Sequence, residues 1–268
     1  MTQATLRDHL ALATRAAHAA GEILRGGFGR PCVVHRKGPA DLVTELDLRA
    51  QDTIFAILNR GAREIEIIGE ESAGQLPADD RPYWLVDPVD GTTNYIRQYP
   101  SFAVSIALVQ EGRVTLGVVF NPVSGELYRA ARGGGASVNG RELRVSSTTA
   151  LRDSLLGSGF PYDAWTAPDN NSAAWCRLLR CAISLRCDGS AALDLCHVAT
   201  GRFDAYWEVG LAPWDLAAGS LIVAEAGGRV TAADGSGFSV GGSTIVASNG
   251  HIHQELLGVL LDGRQVTE

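Results

Sequence analysis

Two carboxylates three positions apart carry the clearest chemical signal: Asp87-Pro88-Val89-Asp90, led in by the apolar run Trp84-Leu85-Val86 and followed by Gly91-Thr92-Thr93-Asn94. Hard divalent cations take oxygen ligands, and Mg²⁺ is commonly held by one or two carboxylates with water and phosphate oxygens. Pro88 stiffens the turn, so both acids and the Val89 carbonyl could converge on one side. Gly91 admits close backbone approach, and a helical turn opening at Thr92 would offer free amides to an anion. The bland alternative is that Asp-Pro and Asp-Gly only make turns. An Asp-x-x-Asp-Gly-Thr pattern arises by chance in roughly one chain in 300 of this length, at about 5–7% usage per fixed position. The other acids therefore decide.

Ile67-Ile68-Gly69-Glu70-Glu71-Ser72 is a second apolar run entering an acidic loop, where a solvated turn is the alternative for either glutamate. Asp41 and Asp47 flank the start of a helical pattern, and Thr44-Glu45-Leu46-Asp47 has capping-box spacing, so Asp47 could be a helix starter alone. Asp215 in Pro213-Trp214-Asp215 opens another helix, where the dipole favours a carboxylate anyway. Glu208 follows Tyr206-Trp207 and could be a surface acid. Each plain reading stands singly. Several acids at strand ends and helix starts, where ligands gather, are harder to dismiss jointly.

The elements that must hold these residues can be read from periodicity. Leu6, Leu10, Ala13, Ala17, Ala20 and Leu24 step by four and three, giving an amphipathic helix closed by Gly26-Gly27. Cys32 to His35 predicts a short strand, Lys37-Gly38-Pro39 a loop, and Thr44 to Asn59 a second helix. Strands follow at 64–68, 83–86, 102–109, 113–120 and 126–130, and Asn139-Gly140 marks a type I′ hairpin. Beyond residue 150 short strands (154–158, 183–187, 203–207, 244–247) alternate with helices, the clearest at 191–200 and 216–226. The fold class is thus α/β: an α+β half with a mostly antiparallel sheet over residues 1–148, then an α/β half over 149–268. Ser146-Ser147-Thr148-Thr149 marks the soft boundary, and without a linker-like stretch the halves should share an interface.

The 268 residues are 46% hydrophobic and 20% charged, enough apolar side chain to exclude disorder. No run is long and apolar enough for a membrane span. Twenty-three basic against 30 acidic residues give a net charge of −7, which makes nucleic acid a poor partner and weakens a two-metal nuclease reading. The first ten residues show no targeting signal, and five irregularly spaced cysteines fit neither a disulfide framework nor a zinc site. Reduced thiols in a cytoplasmic protein are expected. The six histidines are scattered and read as non-ligands, with His251-Ile252-His253 an adventitious metal site at most. Gly133-Gly134-Gly135 reads as a turn, since no Lys-Ser/Thr follows.

Taken together, Asp41 to Asp47, Gly69-Glu70-Glu71-Ser72, Trp84 to Asn94, Gly189-Ser190-Ala191-Ala192, and Trp214-Asp215 through Glu225-Ala226-Gly227-Gly228 resemble the inositol monophosphatase family of Mg²⁺-dependent phosphatases, nearly end to end. The resemblance implies a layered αβαβα sandwich of the sugar-phosphatase type with the active site between its halves. It implies two to three Mg²⁺ ions. Glu70, Asp87 and the Val89 carbonyl would hold the first, Asp87, Asp90 and Asp215 the second, and Glu70 would help place a weaker third. Thr92, paired with Asp47, would orient the attacking water, with Glu70 also in the catalytic set. Gly91 and Thr92 amides would bind phosphate, while Gly189, Ser190, Ala191, Glu208 and Asp215 would meet the substrate. A sugar or polyol phosphate is implied, myo-inositol 1-phosphate foremost, and a homodimer. Fructose 1,6-bisphosphate, histidinol phosphate and 3′-phosphoadenosine 5′-phosphate remain alternatives, as does a regulatory binding role. Asp188 stands where relatives usually carry an apolar residue; it could weaken an anionic substrate or select a polyhydroxyl one.

Overall fold

The computed structural model describes residues 3–38, 41–72 and 74–262. Met1 and Pro39 of the expected loop lie outside them. In chain order the elements are α1 (Gln3–Gly27), the hairpin β1 (Val34–Arg36) and β2 (Leu42–Thr44), α2 (Glu45–Gly61), β3 (Glu66–Gly69), β4 (Tyr83–Asp90), α3 (Thr92–Ile96), β5 (Ala103–Gln110), β6 (Arg113–Asn121), β7 (Glu126–Ala131), β8 (Ala136–Val138) and β9 (Arg141–Glu142). There follow β10 (Leu155–Ser158), α4 (Ser172–Leu178), β11 (Ser184–Arg186), α5 (Ala191–Ala199), β12 (Ala205–Val209), α6 (Pro213–Glu225), β13 (Arg229–Thr231), β14 (Thr244–Ser248) and α7 (His253–Leu261). Strands β3 to β9 form one seven-stranded sheet in sequence order, antiparallel except for the parallel β3–β4 pair. The second sheet has the order β11-β10-β12-β14-β13 and is mixed.

Side-chain alternation along the strands explains the layering. On β4, Trp84 and Val86 pack into the cluster formed with Ala13, Ala17 and Ala20 of α1 and Ile54 and Leu58 of α2. Tyr83 and Leu85, on the opposite face, join Leu195 of α5 and Leu221 and Ile222 of α6. Strand residues two apart share a face, so one strand serves two layers. The second sheet repeats the logic: Tyr206, Ile245 and Ala247 face α5 and α6, while Trp207 and Val246 face Leu178 of α4 and Leu256 of α7. The order is therefore helix, sheet, helix, sheet, helix, the layered sandwich that the sequence resemblance implied.

The middle layer constrains composition most. α6 is apolar all round because sheets cover it on both sides. It approaches β6 so closely that a Cβ on Gly117 would lie 2.7 Å from the Ala218 carbonyl oxygen and 2.9 Å from its Cα. The expected hairpin forms with Asn139 and Gly140 at φ of 50° and 82°. The Gly133–Gly135 turn gives its Gly133 and Gly135 amides to the Glu225 carboxylate, at 2.8 and 2.9 Å, so those amides serve an internal anion.

Candidate active site and metal centre

Residues three apart on a regular strand point to opposite faces, so Asp87 and Asp90 need a distortion to cooperate. β4 supplies it. Asp87 pairs with Ser105 and Asp90 with Ala103, so three steps on β4 oppose two on β5. The extra residue is a bulge, which re-aims side chains, and it falls at Pro88-Val89. The Val89 amide donates to Asp87 Oδ1 at 2.8 Å, fixing that carboxylate against its own turn.

Asp215 arrives from another layer. Pro213 starts α6, and Asp215 Oδ2 accepts the Ala212 amide at 2.8 Å. Ser105 Oγ donates to the Trp214 carbonyl at 3.0 Å, tying the helix start to β5 beside Asp87. Carboxylate oxygens of Asp87, Asp90 and Asp215 then lie within 4.8 Å of one another. Three buried or half-buried anions this close repel. Burial, then the charges of Glu70, Asp90 and Asp215, holds Asp87 well above the usual carboxylate range. Asp215 is raised well above it by burial and then by Asp90. Asp90 is raised as well, by burial first, against the hydrogen bonds it accepts from Ser190 and the Ala192 amide. An all-oxygen donor set that cannot comfortably carry its own charge fits a hard divalent cation.

Glu70 starts a short 3₁₀ turn, Glu70–Ser72, directly after β3, so the parallel β3–β4 pairing brings it beside Asp87. It does not join the three-acid cluster. Lys37, from the β1–β2 hairpin, donates to Glu70 Oε1 at 2.8 Å and to Glu71 Oε1 at 3.1 Å. Glu71 is not the solvated turn residue that remained open for it: its side chain is 3% exposed. Burial, then Glu70, pushes its pKa up to about 7 despite Lys37.

Asp47 caps its helix and also reaches Thr92 of the central motif. Thr44 Oγ1 accepts the Leu46 and Asp47 amides, and Asp47 Oδ2 accepts from the Thr44 amide and hydroxyl. The capping box thus holds one carboxylate oxygen, leaving Oδ1 for Thr92 at 3.0 Å. Thr92 Oγ1 is also 3.0 Å from the Val89 carbonyl, and its single proton serves one acceptor at a time. Burial raises the Asp47 pKa, against three hydrogen bonds.

A sequence profile described as the inositol monophosphatase family matches residues 5–264. The chain belongs to the inositol monophosphatase family. It is 46% identical over 253 residues to an inositol-1-monophosphatase from Synechocystis, an alignment covering 94% of this chain and 88% of that protein. A relative from Pseudomonas aeruginosa called Nus factor SuhB is 42% identical over 258 residues, covering 94% of this chain and 95% of the relative. Among solved structures, the inositol monophosphatase from Anabaena (Nostoc) sp. PCC 7120 superposes with a TM-score of 0.88 at 42% identity, covering 96% and 97% of the two chains.

Gly91 has φ +97°, and a Cβ there would sit 3.0 Å from both the Gly189 and Ser101 carbonyl oxygens. Asn94 Nδ2 donates at 2.7 Å to the Ser101 and Asp188 carbonyls, joining the central motif to the Gly189 loop. Ser190 caps α5 and donates to Asp90 Oδ2, which also accepts the Ala192 amide at 2.8 Å. Ser190 and Ala191 are buried, so this loop first positions a carboxylate. Glu208 is buried and accepts the Tyr206 hydroxyl. Burial pushes its pKa up to about 7, against the Tyr206 bond.

Four further residues bear on these groups without a local sequence signal. By sequence Lys37 shows only as loop and Tyr206 only as part of a strand. Gly159 has no room for a Cβ beside the Glu208 carboxylate. Tyr162 is 59% exposed, and its phenol pKa is raised by partial desolvation and by the charges of Glu70, Asp215, Asp90 and Asp87. A Tyr or Lys far away in sequence carries no local signature of such a role.

Proposed function

We propose that this protein hydrolyses a polyol phosphate, myo-inositol 1-phosphate foremost, as a Mg²⁺-dependent phosphomonoesterase. The observation that carries the reading is the convergence of Asp87, Asp90 and Asp215 at the β4 bulge, in a chain of this family. Asp87, Asp90 and Asp215 would hold one cation, Glu70, Asp87 and the Val89 carbonyl another, and Glu70 a weaker third. Such ions would neutralise charge on the phosphoryl oxygens and acidify water.

The chain's own groups supply orientation. With the Thr92 hydroxyl proton given to Asp47, the Thr92 lone pairs accept from the attacking water and aim it at phosphorus. The capping box keeps Asp47 fixed while it does so. Backbone amides at Gly91 and Thr92 face the phosphate. Glu208, with one oxygen on the Tyr206 hydroxyl, keeps the other for a substrate hydroxyl. Gly189, Ser190 and Ala191 frame the substrate through backbone, and Ser190 keeps Asp90 aimed. As the aimed water forms its bond to phosphorus the P–O bond to the polyol breaks; the water gives up a proton to solvent and the leaving oxygen takes one from solvent.

We further read the chain as two subdomains, 1–148 and 149–268, forming a cytoplasmic homodimer. No helix among the described residues is long and apolar enough to cross a membrane, and all five cysteines are unpaired. Trp165, Leu179 and Ile183 expose apolar surface that a second copy could cover. The relative called a Nus factor favours a second reading, a regulatory binding role beside catalysis.

The test is phosphate release from inositol 1-phosphate, fructose 1,6-bisphosphate, histidinol phosphate and 3′-phosphoadenosine 5′-phosphate, with and without Mg²⁺. Asp90→Asn should lose most of the turnover while keeping the fold intact. A folded Asp90→Asn variant that keeps the wild-type rate refutes the assignment.

A further inference from the structure

Asp194 is 98% buried on α5, yet its Oδ1 has no hydrogen-bond partner among the described residues. One helical turn on, His197 Nδ1 is also buried without a partner. The two atoms face each other at 3.8 Å. That is too long for a hydrogen bond. It is close to the spacing of two ligands on one ion: donors about 2.1 Å from a tetrahedral metal are about 3.4 Å apart. A third donor is at hand. Asp188, in the loop before α5, brings a carboxylate oxygen within 4.8 Å of both.

Residues i and i+3 share a helix face, and an acid-x-x-His pair on such a face is a recurrent metal-binding device. The His197 ring is fixed edge-on against Phe203, at 5.0 Å between centroids. Arg202, whose charge acts on His197, is committed to Glu126 and the Tyr128 hydroxyl. Burial keeps His197 toward its neutral, ligating form.

We infer that Asp188, Asp194 and His197 form a second metal site, separate from the Asp87–Asp90–Asp215 cluster, that takes a borderline transition ion of the Zn²⁺ class. Two carboxylates and an imidazole suit zinc, whereas the all-oxygen centre suits magnesium. The ion would pin the Cys187–Asp188 loop to α5, the helix whose first turn holds Asp90.

The experiment is equilibrium dialysis of the full-length protein against Zn²⁺ in excess Mg²⁺, for wild type, His197→Gln and Asp188→Asn, with X-ray absorption at the zinc edge. Wild type should bind one zinc per chain more than either variant, with imidazole scattering around the metal. Zinc should raise the melting temperature of wild type and not of the variants. Equal zinc counts in all three proteins, or a zinc shell of oxygen alone, overturn the site. Asp188 is half-buried in a loop, so Asp188→Asn tests the idea even if His197→Gln folds poorly.

Discussion

Replacing Glu208 by Gln isolates the electrostatics of the site in one atom pair. The Glu208 carboxyl is 8% exposed, accepts the Tyr206 hydroxyl, and burial pushes its pKa up from 4.5 to about 7. The folded protein therefore keeps a proton on Glu208 that the unfolded chain releases between those values. A raised carboxyl pKa favours folding at low pH, and that contribution is lost as pH rises through about 7. At 1.36 kcal/mol per pKa the full effect is about 3 kcal/mol, and between pH ~5 and ~8.5 about 2.5 kcal/mol is lost. Gln copies the protonated shape and still accepts from Tyr206, but does not titrate. Urea unfolding of the metal-free proteins should thus show wild type and Glu208→Gln nearly equal near pH 5. Near pH 8.5 the variant should be more stable by about 2–3 kcal/mol. A stability difference that does not change with pH would refute the claim that burial sets the protonation state of Glu208.

Two further outcomes follow from the same geometry. Because Asp87, Asp90 and Asp215 repel when ionised, Mg²⁺ should stabilise the fold, by about 2.7 kcal/mol at a hundredfold excess over its dissociation constant; a melting temperature indifferent to Mg²⁺ contradicts this. Gly117→Val should cost at least about 1–3 kcal/mol in urea unfolding, since its side chain would meet the Ala218 backbone, which yields less than a side chain would; an unchanged midpoint would mean α6 can move away.

Much of this was written in local pattern. The strands β4 to β6 carry apolar runs long enough to stand out, and Thr44-x-x-Asp47 forms the capping box its spacing indicated. Asn139-Gly140 turns as its residue types require. What local pattern could not carry was pairing across the fold. The bulge that re-aims Asp90 exists only in the register between β4 and β5. Glu71 looked like a surface turn because its partner Lys37 lies 34 residues away. His253 belongs to a His-x-His pair, yet both its ring nitrogens meet hydroxyls, Ser248 at 2.8 Å and Thr231 at 3.1 Å. His197 looked equally idle; its unpartnered nitrogen emerges only once α5 is buried. The short helix α4 and strand β13 offered too few residues for a period to show.

The most direct measurement is anomalous diffraction at the manganese edge from crystals soaked in Mn²⁺, a spectroscopic stand-in for magnesium. The expected result is a peak with carboxylate oxygens of Asp87, Asp90 and Asp215 around it, and its loss in Asp90→Asn. Manganese bound elsewhere, with those three carboxylates left uncoordinated, would contradict it.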